Sequence, residues 1–102
     1  MEIKDFEKKK KNDLLAVSVE SLLNTSSENE FLFLMGTQLR GGKGKRYKNY
    51  DRKLPLGNYE ELEVNGPHDS RRIVIDRDNF KIYATRDHYQ TLMHAGKPNW
   101  AN

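Results

Sequence analysis

Residues 59–85 read YEELEVNGPHDSRRIVIDRDNFKIYAT, and the way this stretch divides decides the fold. YEELEV alternates Tyr59, Glu61 and Glu63 against Glu60, Leu62 and Val64, the period of a half-buried strand. NGPHDS is rich in turn residues. RRIVI then sets Ile73 and Ile75 on one side and Arg72 and Val74 on the other, DRDN turns again, and FKIYAT opens a third run. Three period-2 runs at hairpin spacing predict antiparallel strands.

Upstream the period changes. Leu15, Val19, Leu22 and Leu23 keep a helical spacing within residues 5–24. Thr25 followed by Glu28 reads as a capping box opening a second helix, which carries Phe31, Leu32, Leu34 and Met35 to a stop near Gly36. Helices followed by strands predict a single α+β domain, with N-terminal helices packed on one face of a twisted antiparallel sheet of about four to five strands. The expected divisions are a helical part at 1–36, a basic segment at 37–58, strands at 59–92 and a tail at 93–102. His94 falls in that tail, and Trp100 reads as a packing anchor or a loose end.

Composition bounds the rest. The chain has 102 residues, 35% hydrophobic and 32% charged, so its core is modest and most of it is surface. No apolar run approaches the roughly 20 residues that cross a bilayer, so no membrane partner is expected. The charged N-terminus has no apolar stretch of the secretory kind. The absence of cysteine excludes disulfides, thiolate catalysis and cysteine-bound zinc. Three scattered histidines lack metal-ligand spacing, so no metal or other cofactor is expected.

The net charge is only +3, but residues 40–53, RGGKGKRYKNYDRK, hold seven Lys or Arg against one Asp, with two Tyr and three Gly interleaved. Cations hold phosphates and rings stack on bases, so this segment suits single-stranded nucleic acid. The plainer reading is a solvated loop, as it is for the lysine run at 8–11. Strand parity adds chemistry. If Leu62, Val64, Ile73 and Ile75 face the helices, Glu61 and Arg72 share the opposite face. His88, just past the third strand, reaches the same surface. A carboxylate, a guanidinium and an imidazole together can act as base, phosphate ligand and acid. The alternative for Glu61 and Arg72 is a surface ion pair worth under about 1 kcal/mol.

RRIVIDRDNFKIYATRDHYQTL resembles the C-terminal hairpin of the barnase-like microbial guanyl-preferring ribonucleases. Shared features are an Arg-Ile pair opening one strand, a Tyr within the next, and Asp-His-Tyr with a following Thr at its end. NYEELEV resembles the strand that carries the family's glutamate. NYDRKLP resembles the guanine-binding loop before a Lys-Leu-Pro turn, with Gly41 and Gly42 upstream. The resemblance covers residues 41–92. Before that it rests on TSSENEFL, placed where the family starts its second helix.

The resemblance implies an endoribonuclease that cuts single-stranded RNA 3′ of guanosine. Transesterification to a 2′,3′-cyclic phosphate would be followed by hydrolysis. Glu61 is the implied general base, His88 the general acid and Arg72 the phosphate ligand. Tyr89 would shape the site, and Asn49, Tyr50 and Asp51 would form the guanine loop. Tyr50 replaces a family arginine, and His68 falls where a second phosphate-binding arginine stands, leaving Arg71 or Arg86 as substitutes. Ser26 falls where the family has a lysine. Asp87 is expected to serve the turn. The implied partners are RNA and an acidic inhibitor or immunity protein. The implied state is a monomer, secreted or delivered into target cells as a toxin. The alternative is an RNA-binding module, or a decayed relative, without catalysis.

Overall fold

The structure, a computed structural model, describes residues 4–6, 13–37 and 45–102. Its elements run β1 (Lys4–Asp5), α1 (Leu14–Leu23), α2 (Glu28–Thr37), β2 (Lys45–Arg46), β3 (Tyr59–Glu63), β4 (Arg72–Asp76), β5 (Lys81–Thr85) and β6 (Leu92–Gly96). A short 3₁₀ turn, Asn99–Ala101, closes the chain. The fold is α+β. The strands form one sheet in the order β1-β6-β5-β4-β3-β2, antiparallel throughout except for β1, which runs parallel to β6 at the edge. The lysine run at 8–11 and residues 40–44 of the basic segment, Gly41 and Gly42 among them, lie outside the described residues.

Strand parity sets the two faces. In register, Leu62 stands opposite Ile73 and Ile73 opposite Ala84. These residues, with Val64, Ile75 and Ile82, meet Leu15, Val19 and Leu22 of α1 and Phe31 of α2 in the main core. Ile73, Ile75, Ile82 and Phe31 are fully buried, and each such side chain contributes roughly 1.5–3 kcal/mol of hydrophobic stabilisation. Glu61 stands opposite Val74, Val74 opposite Tyr83 and Tyr83 opposite His94, all on the other face.

That second face is not bare. Leu54, Tyr59, Val74, Tyr83 and Leu92 are buried together there, with Tyr47 and Tyr89 packed against them. The segment between β2 and β3 supplies Leu54 to this cluster. A loop side chain of this kind leaves no periodic signal in sequence.

Two boundaries differ from the sequence reading. The tail expected at 93–102 is largely β6, a full partner of β5, carrying Ala95 into the core. A register shift at Ile82/Tyr83 allows this, and Gly96, at φ +108°, takes the left-handed backbone there. Trp100 is an anchor: its ring meets Phe31 and Phe80 edge-on and its indole N–H donates to Thr25 Oγ1 at 2.8 Å. The cap of α2 sits two residues later than expected. The Glu30 N–H donates to Ser27 Oγ, and the Glu30 carboxylate accepts from the Ser26 N–H. Thr25 instead closes α1, donating to the Leu22 carbonyl. Asp13 opens α1, accepting from the Leu15 N–H at 3.1 Å.

Candidate active site

The turn after β5 answers why Asp87, His88 and Tyr89 stand together. Asp87 accepts hydrogen bonds from the Thr85 hydroxyl at 2.9 Å and the Thr91 N–H at 2.8 Å. Thr85 Oγ1 in turn accepts from the Tyr89 N–H at 3.0 Å. Burial opposes ionisation of Asp87, but the bonds from Thr91 and Thr85 outweigh it and hold the carboxyl below its ordinary value. This clamp holds His88 and Tyr89 at φ 52° and 75°, a backbone region that costs a non-glycine residue energy. The His88 N–H also donates to the Ser70 carbonyl, and Ser70 Oγ donates to the Arg86 carbonyl, tying the β3–β4 loop to the same turn. Asp87 is therefore structural, as expected, and what it shapes is the presentation of the next two side chains.

Tyr89 turns inward and His88 outward. The Tyr89 hydroxyl donates to Glu61 Oε2 in the middle of β3. Its ring lies 4.9 Å from Tyr47 and 5.3 Å from the exposed His88 imidazole. Burial, then the bond to Glu61, push the Tyr89 hydroxyl far above the usual tyrosine range. Burial, followed by the charges of Asp51 and Glu61, raises Tyr47 to about 12. Glu61 thus sits between two tyrosines that stay protonated. Glu61, Tyr89 and His88 form a chain of contacts on the face away from the helices.

Arg72 lies on the same face, two positions along from Glu61 in the β3–β4 register. Its positive charge opposes the rise in Tyr89. Yet the side chain is buried, and its terminal nitrogens donate to three carbonyls of the preceding turn: Asp69, Arg71 at 2.8 Å and Pro67 at 3.0 Å. The guanidinium therefore organises the β3–β4 turn as well as charging the site.

The two substitute cations are engaged elsewhere. Arg71 grips Asp69 in a bidentate pair, 2.9 and 2.7 Å, and lies 3.7 Å from Asp13. Arg86 pairs with Asp13 and lies over the Phe6 ring at 5.1 Å. Both serve the N-terminus of α1 and the β3–β4 turn here, so either would have to leave a carboxylate partner to act as a phosphate ligand. His68 is exposed in that turn, with no hydrogen bond, ion pair or ring contact among the described residues.

The loop over the second face is held from within. Asn49, at φ 53°, donates its side-chain amide to the Leu54 carbonyl at 2.7 Å and accepts from the Leu54 N–H at 3.1 Å. Such an amide imitates a strand partner and closes the loop. Lys53 Nζ donates to the carbonyls of Tyr89 and Gln90, joining the loop to the His88 turn. A cleft of about 590 Å³ is lined by Arg46, Tyr47, Lys48, Asn49, Tyr50 and Arg52, with Leu54 and Leu56. Tyr50 is 83% exposed, with the Lys48 ammonium 5.8 Å from its ring. Asp51 is exposed, lies 3.8 Å from Lys53 Nζ, and does not line the cleft. The sequence reading missed Tyr47 and Lys53. The only signal for them was their place within the basic, tyrosine-bearing run.

Comparison with known protein families and with characterised proteins gives no match.

Proposed function

We propose that this protein is a metal-independent endoribonuclease acting on single-stranded RNA, with cleavage 3′ of guanosine. The observation that supports this best is the open-face chain in which Glu61 is held by the Tyr89 hydroxyl while His88 packs against the Tyr89 ring. The substrate carries its own nucleophile. Glu61 takes the proton from the 2′-hydroxyl as that oxygen attacks phosphorus, and the imidazolium of His88 protonates the departing 5′-oxygen. The products are a 2′,3′-cyclic phosphate and a free 5′-hydroxyl. Water then opens the ring, with His88 as base and Glu61 as acid. The Arg72 charge lies beside the site and stabilises the doubly charged phosphorane. The cleft under Tyr50 receives the base, with Lys48, Arg46 and Arg52 around it.

The decisive experiment is incubation with single-stranded RNA in EDTA, followed by analysis of the new ends. Cyclic phosphates after G support the proposal. Intact RNA, with binding retained, supports the rival reading of an RNA-binding module. The Arg72 hydrogen bonds to three turn carbonyls favour that rival, because they leave the guanidinium less free for a phosphate.

A further inference from the structure

A second concavity of about 440 Å³ opens on the same sheet face, beside the loop and toward β6. It is lined by Arg52, Lys53, Lys81, Tyr83 and His94, with Leu54 and Pro55 on the loop side, and no carboxylate lines it. Lys53 is occupied by the Tyr89 and Gln90 carbonyls. Arg52 is exposed and makes no ion pair among the described residues. The Lys81 ammonium lies 5.9 Å from the Tyr83 ring, and the His94 ring lies 4.9 Å from it.

Tyr83 is the telling residue. It is only 3% exposed, and its hydroxyl has no hydrogen-bond partner among the described residues. Buried hydroxyls nearly always find a partner. The other buried tyrosine of this cluster does so, for Tyr59 donates to the Pro55 carbonyl at 2.7 Å. The Tyr83 hydroxyl is not sealed from solvent either, so it is a donor facing a cationic cleft. The neighbouring carboxylates stand outside the lining: Asp76 opposite Lys81 in register, and Asp5 near His94 from β1.

We infer that the Tyr83 hydroxyl, Lys81, His94 and Arg52 form a subsite for a phosphate group. Ammonium, guanidinium, imidazole and hydroxyl donors converging without a carboxylate suit a compact oxyanion of high charge. The site is separate from the candidate catalytic chain. Glu61, Val74, Tyr83 and His94 form one cross-strand row, and three strand spacings put His94 about 14 Å from Glu61. One phosphate cannot reach both. The inference rests on the cleft and not on the ribonuclease reading. Its ligand is either a phosphate of a bound strand or a free phosphate group.

The two sources separate in one experiment. The His94 imidazole is followed by NMR across pH while the wild-type protein is titrated with inorganic phosphate, and separately with a 2′-O-methyl RNA tetranucleotide that cannot be cut. Burial, then the Lys81 charge, depress His94, while Asp5 works against them. A bound phosphate therefore moves its midpoint upward. Lys81→Ala and Tyr83→Phe should each weaken the effect roughly tenfold in apparent Kd, the loss expected for one bond to a charged group. Response to inorganic phosphate assigns a free phosphate ligand, and response to the oligonucleotide alone assigns a strand phosphate. A His94 midpoint unmoved by either overturns the subsite. If the wild-type protein leaves unmodified RNA intact while His94 still responds, the ribonuclease reading fails and the subsite stands.

Discussion

The Tyr89 hydroxyl donates to Glu61 Oε2, joining a turn residue after β5 to the centre of β3 across 28 positions of sequence. Tyr89 does not reach a reacting atom in the proposed mechanism. It positions the carboxylate that does. Tyr89→Phe should lower kcat on RNA roughly tenfold, the worth of one hydrogen bond to a charged acceptor, and leave KM nearly unchanged. Initial rates over a range of substrate concentrations test this. A rise in KM at constant kcat would place Tyr89 in substrate binding instead.

His88→Ala and Glu61→Ala should each reduce transesterification by about 10²–10⁴-fold, the usual contribution of a general acid or base. RNA affinity should change by less than an order of magnitude, because His88 is an exposed side chain and Glu61 repels phosphate. RNA with 2′-O-methyl groups should bind and stay intact, since the nucleophile is blocked. Its cleavage would rule out the 2′-hydroxyl mechanism.

Much of this geometry was legible before any coordinates. Alternation in YEELEV and RRIVI placed Leu62, Val64, Ile73 and Ile75 toward the helices and Glu61 and Arg72 away from them, because period 2 leaves each strand only two ways to face. Other features were hidden for physical reasons. LMHAG, at residues 92–96, is too short and mixed to announce β6, which depends on pairing with β5. Thr25 and Ser27 both have hydroxyls able to cap, and tertiary contact with Trp100 decides which closes one helix and which opens the next. The fates of Arg71 and Arg86 depend on Asp13, more than 55 residues earlier, a pairing that no local pattern encodes.

Asp13 combines two roles, and its removal tests both. It caps α1 and faces Arg71 and Arg86, with its side chain only 9% exposed. Losing a cap costs about 1 kcal/mol, and stranding part-buried cations adds to that. Asp13→Ala should destabilise the protein by about 2–4 kcal/mol in urea unfolding. Asp13→Asn, which keeps a capping oxygen but no charge, should cost less. Equal losses would assign the whole effect to charge.

Stability should fall at both ends of the pH scale, for opposite reasons. Asp69, lowered by its bonds to Arg71, and Asp87 are held below the ordinary carboxylate value of 3.8. Their contribution is full above that value and is lost as pH drops beneath it, because the unfolded chain then binds more protons. Tyr47 and Tyr83 are raised to about 12, chiefly by burial, and Tyr89 is raised further. Below pH 10 both states keep these hydroxyls protonated. Above it the unfolded chain ionises first, so stability falls as pH rises. Burial raises Tyr59 as well, so tyrosinate absorbance should show four groups that ionise only on alkaline unfolding. Reversible ionisation of all five tyrosines near pH 10 in folded protein would contradict the packing of Tyr47, Tyr59, Tyr83 and Tyr89.

Base preference gives the sharpest test of the loop, because Asn49 and Asp51 should fail differently. Guanine offers adjacent N1–H and N2–H donors that one carboxylate accepts as a pair; adenine and the pyrimidines do not. Asp51 is exposed at the loop's tip and outside the cleft lining, so it can grip guanine only at the cleft's mouth. Asn49 spends its side-chain amide on Leu54, within the loop itself. Tyr50, widely exposed beside Lys48, can stack on any base and so softens discrimination. Wild-type protein should therefore cut GpA fastest, with measurable cutting of ApA. Asp51→Asn should narrow the G-over-A ratio by roughly one to two decades, the loss of a charged acceptor worth about 1.5–3 kcal/mol, with stability unchanged. Asn49→Ala should instead slow all dinucleotides together and lower the unfolding midpoint, because it removes two bonds from a residue at positive φ. The measurement is initial rates on GpA, ApA, CpA and UpA for the three proteins, beside their urea midpoints. If Asp51→Asn leaves the ratio untouched while Asn49→Ala shifts it, the base is read by the loop backbone, and Asp51 serves only as the exposed partner of Lys53.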